Sequence, residues 1–193
     1  MWRGMGNSWD KPIEKDSVHF PKFKQGLPKL DGKTIAITGC TTGTGFIAAK
    51  TCAELGATII MLNRKSERAD AAFESVKAVA AAGSTIHNVS CDLMDFDSVK
   101  AAAKEVVALC PNGLDVLANN AGIMAARDKA TKDGYDAQMQ TNHLSHFLLT
   151  RELLPLLEVA AKRTGDARIV NHSSLARRNG GQPIDAKYLG RYQ

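Results

Sequence analysis

The sequence predicts an α/β fold, a doubly wound parallel sheet with helices packed on both faces. Three features predict it: short apolar runs rich in β-branched residues alternate five times with helical stretches, no hairpin turn joins two such runs, and a glycine-rich loop follows the first run. Right-handed crossovers between parallel strands place helices on both faces of the sheet. We therefore expect about five strands in the order 3-2-1-4-5, within one domain that covers residues 33–193.

The predicted strands are short, continuous apolar runs, as expected for strands that are buried on both faces. They cover residues 34–38, 57–62, 85–90, 114–118 and 168–172. The helices between them are predicted over residues 46–55, 66–82, 97–110 and 133–162. We expect the last helix to be bent or interrupted near Pro155, because proline cannot donate the helical hydrogen bond. Residues 1–32 contain prolines and aromatic residues without a lasting period, which predicts an extended N-terminal arm.

The composition indicates a folded globular protein and excludes several other classes. The 193 residues are 44% hydrophobic and 23% charged, a balance typical of a globular domain. The net charge is +5, but the Lys and Arg residues form no basic stripe interleaved with aromatic residues, so no nucleic-acid partner is expected. No apolar stretch approaches the roughly 18 residues that cross a bilayer, and no secretory signal is recognisable. The sequence therefore predicts that the protein is located in the cytoplasm or in the interior of an organelle.

The cysteines and histidines predict no metal site. Cys40, Cys52, Cys91 and Cys110 form no C-x-x-C pair and have no zinc-site spacing. We expect reduced, mostly buried thiols, as in proteins of reducing compartments. His143 and His146 lie one helical turn apart, but no further ligands converge on them, so a packed or hydrogen-bonded pair is expected.

A glycine-rich loop over residues 38–45, TGCTTGTG, joins the first predicted strand to the first predicted helix. A helix N-terminus offers backbone N–H groups and a favourable dipole to a phosphate. Glycine lets the backbone approach the pyrophosphate closely. The loop therefore predicts a dinucleotide site of the Rossmann type. Its candidate cofactor-binding residues are Gly39, Thr41, Thr42, Gly43, Thr44 and Gly45.

The end of the second predicted strand indicates which nicotinamide cofactor is bound. NAD-binding domains usually place an acidic residue there, where it binds the ribose 2′-hydroxyl. This chain has Asn63, followed by Arg64 and Lys65. An acid would repel a 2′-phosphate, whereas the guanidinium of Arg64 can bind one through two hydrogen bonds. We therefore predict that the cofactor is NADP(H), bound through Asn63 and Arg64.

Later motifs identify a family resemblance. The pattern T-G-x-x-x-G-x-G resembles the glycine motif of short-chain dehydrogenases/reductases. Asp92-Leu93 after the third strand and NNAG over residues 119–122 after the fourth are similar to two further motifs of that family. TNHLSHF over residues 141–147 and RIVNHSS over residues 168–174 resemble the branch that contains retinol dehydrogenases and protochlorophyllide reductases, with Ser145 where glycine is usual.

The resemblance implies a role for each motif. It implies that Asp92 and Leu93 hold the adenine. It implies that the NNAG turn supports the sheet and lines the cofactor pocket through Asn119, Ala121 and Gly122. The chemistry implied is hydride transfer between NADP(H) and an alcohol or carbonyl substrate. In that reaction Ser174 would polarise the substrate oxygen, and Asn142 would support a water-mediated proton relay.

The Tyr-Lys pair that the resemblance implies as the proton donor is not found. Tyr188 has a suitable distance from Ser174, but Tyr192 rather than Lys follows four residues later. We expect the pair and the family's last two strands to lie beyond residue 193. The fifth strand would then be an exposed edge, covered in a homo-oligomer or a larger complex. Two functions stay open: an NADP-dependent oxidoreductase, or a non-catalytic structural or NADP-binding subunit of a larger assembly.

Overall fold

A computed structural model describes residues 18–124, 126–127 and 129–175. Within them, five strands form one sheet: β1 (Thr34–Thr38), β2 (Thr58–Asn63), β3 (Ile86–Ser90), β4 (Val116–Asn119) and β5 (Arg168–Asn171). The order is β3-β2-β1-β4-β5, and every neighbouring pair is parallel. The predicted fold class and strand order are confirmed. The strand ends of β1, β2 and β4 meet at one edge of the sheet, where ligands bind in open α/β sheets.

Six helices accompany the sheet within the described residues. They are α1 (Phe20–Gln25), α2 (Gly43–Glu54), α3 (Glu67–Lys77), α4 (Phe96–Leu109), α5 (Ala137–Met139) and α6 (Ser145–Thr164). A π-helical segment, Gln140–Leu144, joins α5 to α6. α3 ends earlier than predicted, because Ala81 and Ser84 turn away to bond the carbonyl of Ala53 in α2. In the described part of the chain, no helix combines the length and apolar character needed to span a membrane.

The core forms two layers, one on each face of the sheet. Alternate strand residues face opposite sides, so Ile35, Ile37, Ile59 and Met61 pack against α2 and α3. Their neighbours in the strands, together with Leu149 and Leu153 of α6, form the layer on the other face. β1 and β2 are therefore buried on both faces, which explains why they read as continuous apolar runs.

The N-terminal arm differs from the prediction in its described part. Residues 1–17 lie outside the described residues, but Phe20–Gln25 form the helix α1 where an extended chain was expected. Pro21 lies in the first turn of α1, where the fixed φ of proline favours a helix and its missing N–H costs nothing. Lys24 forms an ion pair with Glu54 of α2. The arm is thus helical where it docks on the domain.

The long helix before β5 begins later than predicted and is not interrupted at Pro155. The prediction of residues 133–162 was wrong at its start, because the helix begins at Ala137 with Asp136 as its N-cap. Asp133 instead accepts hydrogen bonds from the N–H of Phe96, at 2.9 Å, and from Gln140, at 2.7 Å. α6 runs through Pro155 without interruption. Pro155 is exposed, so water can bond the carbonyl that lacks a helical donor.

β5 is the last strand of the described sheet. All four of its residues are exposed, including Ile169 at 40% and Val170 at 50%. Exposed apolar residues on a terminal strand are unusual in folded proteins, which normally cover such an edge. The predicted exposed edge is therefore present in the described part of the fold.

Candidate nucleotide-binding site

The glycine loop forms a tight crossing between β1 and α2. Gly39 and Gly43 have φ angles of +71° and +61°, a region that glycine adopts without strain. A Cβ on Gly45 would lie 2.3 Å from both the carbonyl oxygen of Gly39 and the side-chain Nδ2 of Asn120. A Cβ on Gly43 would meet nothing within 4 Å. The loop is therefore packed on one side and open on the other.

The helix α2 begins inside this loop, at Gly43, earlier than the predicted residue 46. Thr42 occupies the N-cap position, and its side chain makes no capping hydrogen bond. The first N–H groups of a helix need partners from outside the helix. Together with the open side of Gly43, this first turn fits a pyrophosphate, which would accept those N–H groups and interact favourably with the helix dipole.

Asn63 fixes the start of the loop and leaves one polar group unused. Its side chain is 4% exposed, and Oδ1 accepts a hydrogen bond from the N–H of Cys40 at 2.7 Å. Its Nδ2 group has no partner among the described residues. A buried donor without a partner is costly, so this group suits a ligand oxygen at the end of β2.

A basic cavity opens beside Asn63, at the ends of β2 and β3. Its volume is about 500 Å³, and it is lined by Arg64, Lys65, Ser66, Arg68, Ser90 and Asp92. Three cations and two hydroxyls thus surround a space with one carboxylate. Ser66 also caps α3, because its Oγ accepts the N–H of Ala69 at 3.2 Å. Arg68 and Ser90 were not predicted as site residues. The pairing of β3 with β2 places Ser90 opposite Asn63, and Arg68 lies in the first turn of α3.

The Asp92-Leu93 turn lies at the carboxyl end of β3. The Oδ1 atom of Asp92 accepts the N–H of Met94 at 2.9 Å. The carbonyl of Leu93 accepts a hydrogen bond from the Oγ of Ser145, at 2.6 Å. Ser145 is fully buried, so the residue that departs from the family pattern connects this turn to α6.

Asn120 was not among the predicted site residues, yet its side chain joins three parts of the site. Its Nδ2 donates to the carbonyls of Thr38, at 2.9 Å, and Gly39, at 3.3 Å. Its Oδ1 accepts from the hydroxyl of Thr44, at 3.0 Å, and from Nδ1 of His172, also at 3.0 Å. The side chain therefore connects the glycine loop, the first turn of α2 and the end of β5. The NNAG motif was the signal that could have identified it.

The other residues of the NNAG turn play different parts. Asn119 is buried and donates to Thr150 of α6, at 3.0 Å, and to Asn171 of β5, at 2.9 Å. Its side chain thus supports the sheet. Ala121 lies against Gly39, where an added Cβ would come within 2.9 Å of it. An added Cβ on Gly122 would meet Asn142 at 3.5 Å, so the turn packs between the glycine loop and the π segment.

Asn142 lies in the π segment, and its side chain hydrogen-bonds the chain that follows the NNAG turn. Its Oδ1 accepts the N–H of Ile123 and its Nδ2 donates to the carbonyl of Ile123, each at 2.8 Å. A π-helical turn carries one extra residue, which shifts side chains relative to a regular helix. The widened turn therefore directs Asn142 at the chain that follows Gly122.

Ser174 follows β5 on the same edge of the sheet. The N–H of His172 bonds the carbonyl of Asn119 at 3.0 Å, which continues the pairing of β5 with β4 toward Ser174. Ser174 is exposed. Tyr188 and Tyr192 lie outside the described residues.

The thiols and histidines offer no second reactive centre in this part of the chain. All four cysteines are free. Burial raises the pKa of the Cys91 thiol to about 12 and that of Cys110 to about 11. His143 is exposed, whereas His146 is buried. No group of three or more potential metal ligands occurs among the residues that the structure describes.

Comparison with known proteins shows the family of the chain. The family model for the short chain dehydrogenase matches residues 33–187. An uncharacterized oxidoreductase of Schizosaccharomyces pombe is 37% identical over 182 residues, which cover 93% of this chain and 51% of that protein. Human retinol dehydrogenase 13 is 36% identical over 150 residues, covering 76% of this chain and 43% of that protein. The chain thus spans about half the length of the curated relatives it matches.

Solved structures share the fold. An active-site complex of Pseudomonas aeruginosa RhlG with NADP has a TM-score of 0.66 and 27% identity, covering 83% of this chain and 61% of that one. A NADH-dependent reductase complexed with NAD also has a TM-score of 0.66, with 26% identity, covering 79% and 64%. The relatives are named as oxidoreductases and dehydrogenases, which does not favour the non-catalytic alternative. The chain belongs to the short-chain dehydrogenase/reductase family, in the branch that resembles retinol dehydrogenases.

Proposed function

We propose that this chain is the nucleotide-binding part of an NADP(H)-dependent oxidoreductase. The observation that carries the proposal is the basic cavity at the end of β2, where Asn63 replaces an acid and Arg64, Lys65 and Arg68 line the space. A 2′-phosphate carries negative charge that an acid would repel and that a guanidinium can bind through two hydrogen bonds. The one carboxylate of the cavity, that of Asp92, is engaged with the N–H of Met94.

The rest of the site supplies groups that fit the remaining parts of the cofactor. The first turn of α2, from Gly43 to Gly45, would hold the pyrophosphate. The unpartnered Nδ2 of Asn63 would donate to the adenosine ribose, and the turn at Asp92 and Leu93 would lie against the adenine. Gly39, Thr41, Thr42 and Thr44 complete the loop, and Asn119, Ala121 and Gly122 would border the path toward the nicotinamide.

The reaction proposed for the whole protein is the reduction of a carbonyl or the oxidation of an alcohol. NADP(H), when bound, supplies or accepts the hydride. In this chain, Ser174 would donate a hydrogen bond to the substrate oxygen. Asn142 would hold the turn at Ile123 in place and support the proton relay. Reduction of the carbonyl also requires a proton donor for the oxygen, and the proposal assigns that role to no described residue.

The partners proposed are a small-molecule alcohol or carbonyl and a polypeptide surface that covers β5. Retinol dehydrogenase 13 is named for an alcohol substrate, which supports an alcohol or its carbonyl product here. The exposed apolar residues of β5, Ile169 and Val170, support a covering surface. A homo-oligomer or a larger complex would supply it.

The proposal is tested with the substitution Arg64→Gln. The wild-type chain and the variant are titrated with 2′,5′-ADP and with 5′-AMP in a phosphate-free buffer. Loss of a charge-assisted hydrogen bond costs about 1.5–3 kcal/mol, so we expect Arg64→Gln to weaken 2′,5′-ADP about 10- to 100-fold and to leave 5′-AMP nearly unchanged.

The matched control is Arg151→Gln, because Arg151 pairs with Glu152 on the exposed surface of α6. It removes the same charge elsewhere and is expected to bind both nucleotides as the wild type does. An equal loss of affinity for the two nucleotides in Arg64→Gln would refute a 2′-phosphate contact. Unchanged affinity for both would also refute it.

A further inference from the structure

The hydroxyl of Thr38, at the end of β1, lies at the centre of a buried hydrogen-bond cluster. Thr38 is 1% exposed, and its Oγ1 accepts the N–H of Asn120 at 3.0 Å and that of Ala121 at 2.9 Å. A hydroxyl has two lone pairs and one hydrogen. Because both lone pairs are occupied, Thr38 can only donate in its third bond.

The acceptor of that third bond is His146 of α6. Its Nε2 lies 2.9 Å from Oγ1 of Thr38, whereas the carbonyl of Ala118 is farther away, at 3.5 Å. The other ring nitrogen of His146, Nδ1, lies 3.1 Å from the carbonyl oxygen of Asn142. A carbonyl oxygen only accepts, so Nδ1 must carry the hydrogen and Nε2 must be bare.

We propose that His146 is a positioning residue of the cofactor site, whose neutral Nδ1–H imidazole holds the Thr38 hydroxyl toward the turn at Asn120 and Ala121. Through its two ring nitrogens it connects the end of β1 and the NNAG turn to the backbone of Asn142. The glycine loop and the π segment are thereby fixed relative to each other. This role goes beyond the packed or hydrogen-bonded pair that the sequence predicted for His143 and His146.

The surroundings of His146 are consistent with this tautomer. The side chain is 6% exposed, and burial lowers the pKa of His146. The hydrogen bond to the backbone of Asn142 acts in the opposite direction, and the nearby His143 acts in the same direction as burial. A hydrogen on Nε2 would point at an oxygen that already accepts two N–H groups. The neutral form therefore satisfies every polar atom of the cluster, and the charged form does not.

The first test measures the tautomer in the 193-residue chain without nucleotide. Nitrogen-15 NMR of the histidine side chains distinguishes a protonated from a bare ring nitrogen, and the variant His146→Gln assigns the signal. We expect a bare Nε2 and a protonated Nδ1 near neutral pH. A protonated Nε2 would overturn the proposal.

The second test measures hydrogen exchange at the backbone amides that donate hydrogen bonds to the Thr38 hydroxyl. Hydrogen exchange at Asn120 and Ala121 is compared in wild type, His146→Phe and His146→Gln. We expect exchange to accelerate about 10-fold in the Phe variant, as the loss of one buried hydrogen bond implies, and to be partly restored by Gln, whose side-chain oxygen can accept from Thr38. The matched control is His143→Phe, at an exposed position on the π segment, with wild-type exchange expected.

The third test asks whether the cluster acts on cofactor binding, and only this test rests on the proposed function. In a cycle of Thr38→Val and His146→Phe, we expect each single variant to weaken NADPH about 10-fold and the double variant to be little worse than either, because contacting residues couple. Additive losses would overturn the positioning role. If the wild type bound no NADPH, the proposed function would fail, while the tautomer and exchange tests would still decide the role of His146.

Discussion

Replacing Asn120 is expected to destabilise the glycine loop. Two substitutions separate the loss of its hydrogen-bond donor from the repulsion caused by an oxygen in the place of that donor. Asn120→Ala removes the donor to the carbonyls of Thr38 and Gly39. Asn120→Asp keeps the size of the side chain but replaces the donor with an oxygen that faces those two carbonyls. The bonds from Thr44 and His172 matter less, because those two side chains are more exposed and can be hydrated.

The expected magnitudes follow from these bonds. Each net hydrogen bond contributes about 0.5–1.5 kcal/mol, so losing the two to the carbonyls is expected to lower the free energy of unfolding by about 2 kcal/mol in Asn120→Ala. At roughly 2–4 °C per kcal/mol for a chain of this length, the unfolding temperature should fall by about 4–8 °C. The unfolding temperature of Asn120→Asp should fall further, because the new carboxylate oxygen is repelled by the two carbonyl oxygens that it faces and leaves both without their donor.

Thermal unfolding by circular dichroism in phosphate-free buffer measures both effects. Asn112→Asp is the matched control, because Asn112 is exposed in the turn before β4 and the same change of charge is made there. Its unfolding temperature is expected to stay within about 1–2 °C of the wild type, since surface substitutions change stability by less than ~0.5 kcal/mol. An Asn120→Asp variant as stable as Asn120→Ala would refute the assignment of Nδ2 as the donor to the loop.

Two further predictions concern the core and the thiols. The carboxylate of Asp115 is 2% exposed and pairs with Lys33 at 3.0 Å and Arg163 at 3.2 Å. Breaking such a pair costs about 3 kcal/mol, so Asp115→Ala is expected to lower the unfolding temperature by about 6–12 °C. Calorimetry measures this change, and an unchanged temperature would contradict the prediction. Cys52, half-buried, is expected to react with iodoacetamide at pH 8 before Cys91, whose pKa burial raises to about 12, and equal labelling by mass spectrometry would contradict that order.

The sheet could be predicted from the sequence because each of its signals is local. Strands buried on both faces appear as continuous apolar runs, and Gly56, directly after the C-cap of α2, marks where the chain turns back toward β2. The glycine loop was predicted for the same reason, since its positive-φ residue Gly39 follows β1 directly and Gly43 begins the next helix. Strand order then followed from the rules of parallel α/β folds.

The helical arm and the π segment could not be predicted, because both depend on distant contacts. α1 is held by the ion pair of Lys24 with Glu54, thirty positions away. The π segment places Asn142 against Ile123, and nothing in the local hydrophobic period marks an extra residue in that turn. The helix is not interrupted at Pro155, because an exposed proline can be tolerated where water replaces the helical donor.

The residues missed at the site were polar side chains whose partners are far apart in the chain. Asn120 bonds the end of β1, 82 positions away, and His146 bonds Thr38 across 108 positions. Such bonds follow from the tertiary fold rather than from spacing. The family motifs marked both positions as part of a pattern, but the direction of each hydrogen bond depends on the tertiary structure. The roles of Ser174 and Asn142 in the reaction stay predictions.

The central claim is that the basic cavity selects a 2′-phosphate. The most direct measurement is the dissociation constant of the 193-residue chain for NADPH and for NADH, by calorimetry at low salt in phosphate-free buffer. One charge-assisted contact of about 1.5–3 kcal/mol predicts that NADPH binds about 10- to 100-fold more tightly than NADH. Equal affinities, or tighter binding of NADH, would contradict the claim.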